Sequence, residues 1–397
     1  MGTKSKISGI ICEFNPLHNG HAALLRHVRR ETDGTVVCVM SGNFVQRGEA
    51  AVLDKWSRTR LALQNGADLV IELPLPWAMS GAERFAYGGV FLLDALGCID
   101  ELWFGSECGD ESKLKDTAEF LLSKDFSSRV KPFLASGMPF AAARSAALKA
   151  ALGDELSTIN EQPNNILGVE YCKALRRLDS RISPRTIKRF EVEHDSQHAV
   201  NSFASASLIR LMSSDNADIS ELVPTETFDR IKELIESRQY PADIRYLERG
   251  ILAYISTCPV NTLRNTADVS EGIENRIRAA ASTVSDLEGL YDAVKTKRYS
   301  HARIRRIVLS AYLQLTKALP EAPPYIRILG MTNTGADILR RAEPKLPYVT
   351  RPADVKKLDA HARYIFELEA GADDIYALCT ENRRPAGMDY TEKMIRM

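Results

Sequence analysis

An apolar run, Ile7 to Cys12, leads directly into Phe14-Asn15-Pro16-Leu17-His18-Asn19-Gly20-His21, and the residues after it, Ala22 to Val28, place apolar side chains at helical spacing. A strand that turns at once into a helix constrains the fold more than anything else in the chain. It is the unit from which parallel α/β sheets are built. It also makes a site. Backbone N–H groups and the partial positive charge at the helix start suit phosphate oxygens, and Gly20 lacks the side chain that would hold a nucleotide off the backbone. His18 and His21, three residues apart, share a helical face and can stabilise charge on a departing pyrophosphate without acting as bases.

The rest of the first half repeats the alternation. Strands are expected at 35–40, 68–73, 101–104 and 186–190, with helices near 55–64, 81–96, 112–122, 140–152 and 167–178. Such alternation implies a parallel sheet with right-handed crossovers. A helix following Ser207 closes this portion near residue 215. Beyond it the pattern is mainly helical, broken at Pro224, Pro259 and Pro320 to Pro324, with a smaller α/β-like tail from Tyr325. The expected division is therefore 1–215, an α/β nucleotide-binding and catalytic domain, and 216–397, a mainly helical domain.

Composition narrows the class. A chain of 397 residues is long enough for two cores, and its 52 basic and 52 acidic residues balance, so net charge is silent about nucleic acid. No run is apolar enough to span a bilayer, and the start of the chain reads neither as a signal peptide nor as a myristoylation site. A cytoplasmic location is expected. Seven cysteines, scattered and without a Cys-x-x-Cys pair, argue against a disulfide framework and a zinc site. Glu191, Glu193, His194, Asp195 and His198 lack a common face, so no metal site is expected there.

Several segments fall where open α/β sheets hold their ligands. Asn43, Gln46 and Arg47 follow the second strand and are candidates for substrate contact, with a solvated loop as the plain alternative. Gly105, in Phe104-Gly105-Ser106-Glu107, would let an adenine or ribose lie on the backbone, or is an ordinary turn glycine. Asn164 and Asn165 stand at a helix start, able to cap it or to bond a base or ribose. Arg189 ends a strand in a cation. Ser205-Ala206-Ser207-Leu208-Ile209-Arg210 offers capping hydroxyls and a guanidinium one turn on, suited to phosphate. Farther along, Lys295, Lys297, Arg298, Arg303, Arg305 and Arg306 are the densest cations, interleaved with Tyr299 and His301; they suit RNA phosphates and stacking, or form a solvated helix face.

His-x-Gly-His after a first strand, with Ser-x-Ser-x-x-Arg downstream, resembles the nucleotidyltransferase superfamily that includes the HIGH-type aminoacyl-tRNA synthetases. The ordered series Glu13 to His21, Met40 to Gly48, Gly66 to Pro74, Phe104 to Glu107 and Pro163 to Gly168 resembles more narrowly the tRNA(Met) cytidine acetate ligase family. The resemblance spans most of the first half, extends more loosely through Thr296-Lys297-Arg298-Tyr299, and fades after Tyr325.

What that family implies is a Rossmann-like nucleotidyltransferase domain and an ATP-dependent ligase. Acetate and ATP would form acetyl-adenylate, and the acetyl group would pass to the wobble cytidine of elongator tRNA(Met), giving N4-acetylcytidine. Carried over by position, ATP would meet Ile11, Cys12, Glu13, Phe14, Asn15, Pro16, Leu17, His18, Asn19, Gly20, His21, Ala22, Ala23, Leu24, Gly105, Asn164 in preference to Asn165, and Arg189, with Mg²⁺ carried on the triphosphate. Two competing readings are a small-molecule adenylyltransferase of the same fold and, less favoured, an RNA-binding protein with a relict nucleotide pocket.

Overall fold

The computed structural model describes residues 5–153, 156, 158–189, 204–215, 217–270 and 272–397. Glu191, Glu193, His194, Asp195, His198 and Phe190 lie outside them. At its centre is an eight-stranded sheet: β1 (Ile7–Cys12), β2 (Thr35–Ser41), β5 (Leu69–Leu73), β6 (Glu101–Ser106), β7 (Ser183–Lys188), β8 (Ile326–Met331), β9 (Tyr348–Val349) and β10 (Ile395–Arg396). The order is β10-β8-β5-β2-β1-β6-β7, with β9 also on β8. A separate hairpin pairs β3 (Phe44–Val45) with β4 (Glu49–Ala50).

Chain order runs outward from β1 through β2 to β5, then jumps to β6 on the other side of β1. This is the switch point at which open sheets leave a crevice beyond their carboxyl ends. Both sheet faces are covered, as the strands' continuous apolar runs require. Val37, Val39 and Ile11 enter one core cluster, whereas Val36, Cys38, Met40 and Ile10 enter the cluster on the opposite face.

Most expected helices form at the expected places, including Lys55–Gln64 and Phe140–Leu152. Two expectations need correction. The helix placed at 167–178 starts earlier, as Pro163–Arg177, because Pro163 is tolerated in a first turn. The sheet is not wholly parallel: β8 runs antiparallel to β5. That strand comes from beyond the boundary expected at 215. Residues 217–320 are mainly helical around their own core, which includes Ile251, Ile277, Leu290 and Ile307, but the chain then returns to add β8, β9 and β10 to the first sheet.

Candidate active site

The site lies beyond the carboxyl ends of β1 and β6. His18 is the N-cap of the helix Asn19–Thr32, and its Nδ1 accepts the Gly20 N–H at 3.1 Å. In return His21 Nδ1 accepts the His18 N–H at 3.4 Å. An acceptor nitrogen carries no proton, so the neutral form of each ring holds its hydrogen on Nε2. The rings stack with centroids 3.7 Å apart, and Phe14 packs edge-on to His21 at 5.1 Å. Burial first, then the charges of His18 and Arg189, hold the His21 imidazolium well below the usual histidine range. His21 therefore presents a neutral N–H donor.

The helix start is less open than its sequence implies. Asn19 gives its N–H to Leu222 and its side-chain amide to the Glu221 carbonyl, and the Gly20 N–H is taken by His18. The donors left to face a ligand are chiefly side chains.

A cavity of about 200 Å³ is lined by Ile11, Cys12, Glu13, Phe14, Asn15, His18, His21, Leu24, Gly105, Asn164, Arg189, Ser207 and Arg210. Thus the histidine turn, the glycine after the fourth expected strand, the amide and both arginines come together from 200 residues of chain. Phe85 and Tyr171, which the sequence patterns did not single out, join Phe104 in an apolar wall. A second cavity of about 440 Å³ adjoins it and is lined by Gly20, Ala23, His27, Arg30, Lys188 and Ala204. His18, His21, Leu24, Gly105 and Arg189 belong to both. They form the shared wall.

Not every residue of the 11–24 segment faces these cavities. Leu17 and Ala22 are fully buried in the core, Asn19 is turned to the 221–222 carbonyls, and Pro16 lines neither cavity. Their periodic positions on the helix and turn point inward, where apolar burial is favoured.

Glu107 organises the opposite wall. Its carboxylate accepts the N–H groups of Asn164 and Asn165 at 3.1 and 2.7 Å and the Asn164 side-chain amide at 2.6 Å. This occupies the N-terminus of the helix Pro163–Arg177 with a protein carboxylate. Asn164 Oδ1 accepts from Arg189 at 3.2 Å and faces the cavity, whereas Asn165 is buried, accepts the Cys108 N–H at 3.1 Å and bonds Gln162. The two amides therefore predict different outcomes. Asn164→Ala is expected to weaken binding of the ligand this cavity holds about tenfold, one lost charge-supporting contact, with little change in thermal midpoint. Asn165→Ala is expected to lower the midpoint instead; steady-state kinetics and a melting curve separate them.

The Met40 to Gly48 loop divides similarly. Gln46 and Arg47 line the cavity. Asn43 does not: it is buried, and its Oδ1 accepts the Lys55 N–H at 2.6 Å. Gly48 has φ +75°, and a Cβ there would meet the Arg306 backbone nitrogen at 2.5 Å, so the hairpin abuts the helix His301–Tyr312. Across that contact Glu49 pairs with Arg305 at 2.8 Å and lies 3.9 Å from Arg210. Arg210 also donates to the Asn15 carbonyl and to Ser207, while Ser205, rather than Ser207, caps the helix Ala206–Ser214.

Three buried cations support the site from behind. Arg58 donates to the carbonyls of Glu13 and Ser41 at 2.7 and 3.0 Å, and also to those of Gly42 and Leu53, which ties together the ends of β1 and β2. Lys55 meets Glu72, Asp373 and Asp389 at 2.7, 2.6 and 2.7 Å. Arg327 joins Glu72 and Asp389 at 3.1 and 2.8 Å.

Of the basic run expected to meet RNA, Arg303 and Arg306 pair with Asp268, and Arg305 with Glu49 and Glu288. Their carboxylate partners neutralise them within the fold. Lys295, Lys297 and Arg298 lie exposed just before the helix His301–Tyr312. Among the described residues, no group of three or more His, Cys, Asp or Glu side chains could hold a metal ion, and no helix is long and apolar enough to cross a membrane.

A mostly parallel sheet with a histidine-bearing turn at its switch point and arginines lining the cavity beside it defines a HIGH-type nucleotidyltransferase, and residues 5–390 match the HIGH Nucleotidyl Transferase family. A tRNA(Met) cytidine acetate ligase of Thermoanaerobacter sp. (strain X514) is 39% identical over 405 residues, covering 98% of this chain and 100% of that protein. The corresponding ligase of Acetivibrio thermocellus is 38% identical over 414 residues, covering 99% and 100%. The crystal structure of Thermotoga maritima TmcAL bound with alpha-thio ATP superposes with a TM-score of 0.91 at 30% identity, covering 99% of both chains. The chain belongs to the tRNA(Met) cytidine acetate ligase family.

Proposed function

We propose that this protein is an ATP-dependent ligase that makes N4-acetylcytidine at the wobble position of elongator tRNA(Met). The observation that carries the reading is the meeting, in one cavity, of the stacked His18–His21 pair with Arg189 and Arg210. Full-length kinship with ligases of that name supports the substrate.

In the first step an acetate oxygen attacks the α-phosphorus of ATP and the bond to pyrophosphate breaks. Acetate is already ionised, so the step needs no base. It needs in-line placement and neutralisation of like charge. His18 and His21 donate from Nε2 toward the departing pyrophosphate, and Arg210 with Ser207 holds its outer oxygens. The apolar wall of Phe85, Phe104 and Tyr171 packs beside the nucleotide, with Asn164 and Arg189 setting its orientation. Mg²⁺ would ride on phosphate oxygens, which it binds readily with few protein ligands.

In the second step the cytosine N4 amine attacks the acetyl carbonyl, AMP leaves, and the amine loses a proton. The adjoining cavity, carrying His27, Arg30 and Lys188, is the approach for this RNA, so acetyl-adenylate forms at the wall both cavities share. Residues 1–215 supply the chemistry. Lys295, Lys297 and Arg298 extend the RNA contact from the portion beyond 216, and the cytoplasm supplies the tRNA.

Purified protein incubated with labelled acetate, ATP and tRNA is expected to yield N4-acetylcytidine on nucleoside mass spectrometry. Turnover of ATP with a small phosphorylated acceptor and no RNA would instead favour an adenylyltransferase.

A further inference from the structure

We infer that a third cavity, against the first turns of the helix Lys55–Gln64, is a phosphate-binding site. It has a volume of about 630 Å³ and lies between Asp54–Arg60 and the last residues of the chain, sharing no lining residue with the histidine cavity. Its walls carry five cations, Arg60, Arg230, Arg384, Lys393 and Arg396, against the carboxylates of Asp54 and Glu392.

Buried donors of residues in those walls lack acceptors within the fold. The Arg384 side chain is only 6% exposed; one of its nitrogens meets Asp54 at 2.5 Å, but Nε and Nη2 have no hydrogen-bond acceptor. The Trp56 indole N–H, in a residue 9% exposed, also has none. Three unmet donors beside one cavity are costly to leave unpaired. Among the described residues, no ion pair or hydrogen bond engages the side chains of Arg60, Lys393 or Arg396. Phosphate oxygens only accept, carry charge, and match the planar fork of arginine. Pro385, Met388 and Met394 give the same cavity an apolar side against which a sugar or base can rest.

Two sources can supply that group: the backbone of the RNA substrate, which rests on the function proposed above, or free inorganic phosphate. Arg60 and Arg396 are exposed at the rim, so Arg60→Glu with Arg396→Glu leaves the core intact. If the phosphate belongs to RNA, this variant binds tRNA at least about tenfold more weakly, and the slope of log affinity against log salt falls by about two. ATP–pyrophosphate exchange without RNA stays unchanged. If the phosphate is free, calorimetric titration with inorganic phosphate loses one equivalent of binding while tRNA affinity is retained.

The control reverses Arg340 and Arg341, an equal change of charge elsewhere. Unchanged tRNA and phosphate binding overturns the inference, as does an equal effect from the control or a parallel loss of exchange activity. Failure of the wild type to make acetylcytidine would overturn the proposed function alone, since the phosphate titration does not depend on it.

Discussion

His21→Ala is expected to slow acetate-dependent ATP–pyrophosphate exchange by about 10²–10³-fold, the usual effect of removing one donor aimed at developing charge. Its Nδ1 already accepts from the His18 backbone, so the loss falls on Nε2 and on the orientation of His18. His21→Asn, which keeps a donor, should recover part of the rate. The pH behaviour follows from burial. With its folded pKa depressed, His21 stays neutral while the unfolded chain takes up a proton below about pH 6.5. The unfolded state then binds more protons, so this residue's contribution to stability falls as pH drops through that value. Melting curves between pH 7 and 5 should show the wild type losing more stability than His21→Ala. Equal losses, or a fully active alanine variant, would remove the role assigned to this imidazole.

Lys55→Met is expected to have the largest effect on stability. Burial and Arg327 disfavour the Lys55 charge, but Asp373, Asp389 and Glu72 outweigh them and hold its pKa above the ordinary lysine value. Removing the ammonium leaves Arg327 alone against these carboxylates and Glu369. Breaking a buried pair in this way costs about 3–5 kcal/mol. For a chain of this length that lowers the thermal midpoint by about 5 °C. A midpoint unchanged within error would mean that the carboxylates simply take up protons. The cluster already leans that way, since burial, with Glu72 beside Glu369 and Asp389 beside Asp373, raises both of those groups well above the usual carboxylate range.

Much of the fold was legible because apolar periodicity is local. β1, β2, β5 and β6, and the helices between them, each carry their own pattern, and the His18–His21 turn announces itself by composition. Legibility ended where partners lie far apart in the chain. Nothing near Lys55 marks it as buried, because its partners Asp373 and Asp389 lie some three hundred residues on. Glu107 looked like part of a turn, yet it caps a helix 57 residues away and separates the roles of Asn164 and Asn165. The basic run from Lys295 to Arg306 read as one RNA surface, but Asp268, Glu49 and Glu288 neutralise its second half within the fold. Arg58 carried no motif at all; only its carbonyl acceptors reveal that it ties β1 to β2. A cation's job depends on what is opposite it, and single-residue patterns do not record that.

The antiparallel strand β8 sets the order in which a ribosome can deliver a working enzyme. The edge of β5 is laid down with the first seventy-odd residues, when Lys55 has only Glu72 beside it, but the strand that covers that edge and the carboxylates of Asp373 and Asp389 arrive only after residue 325. Until then the nucleotide half of the molecule has a bare edge and an incomplete ion cluster where its centre should be. A chain cut short after the helical portion should therefore yield material for degradation rather than an ATP-binding fragment.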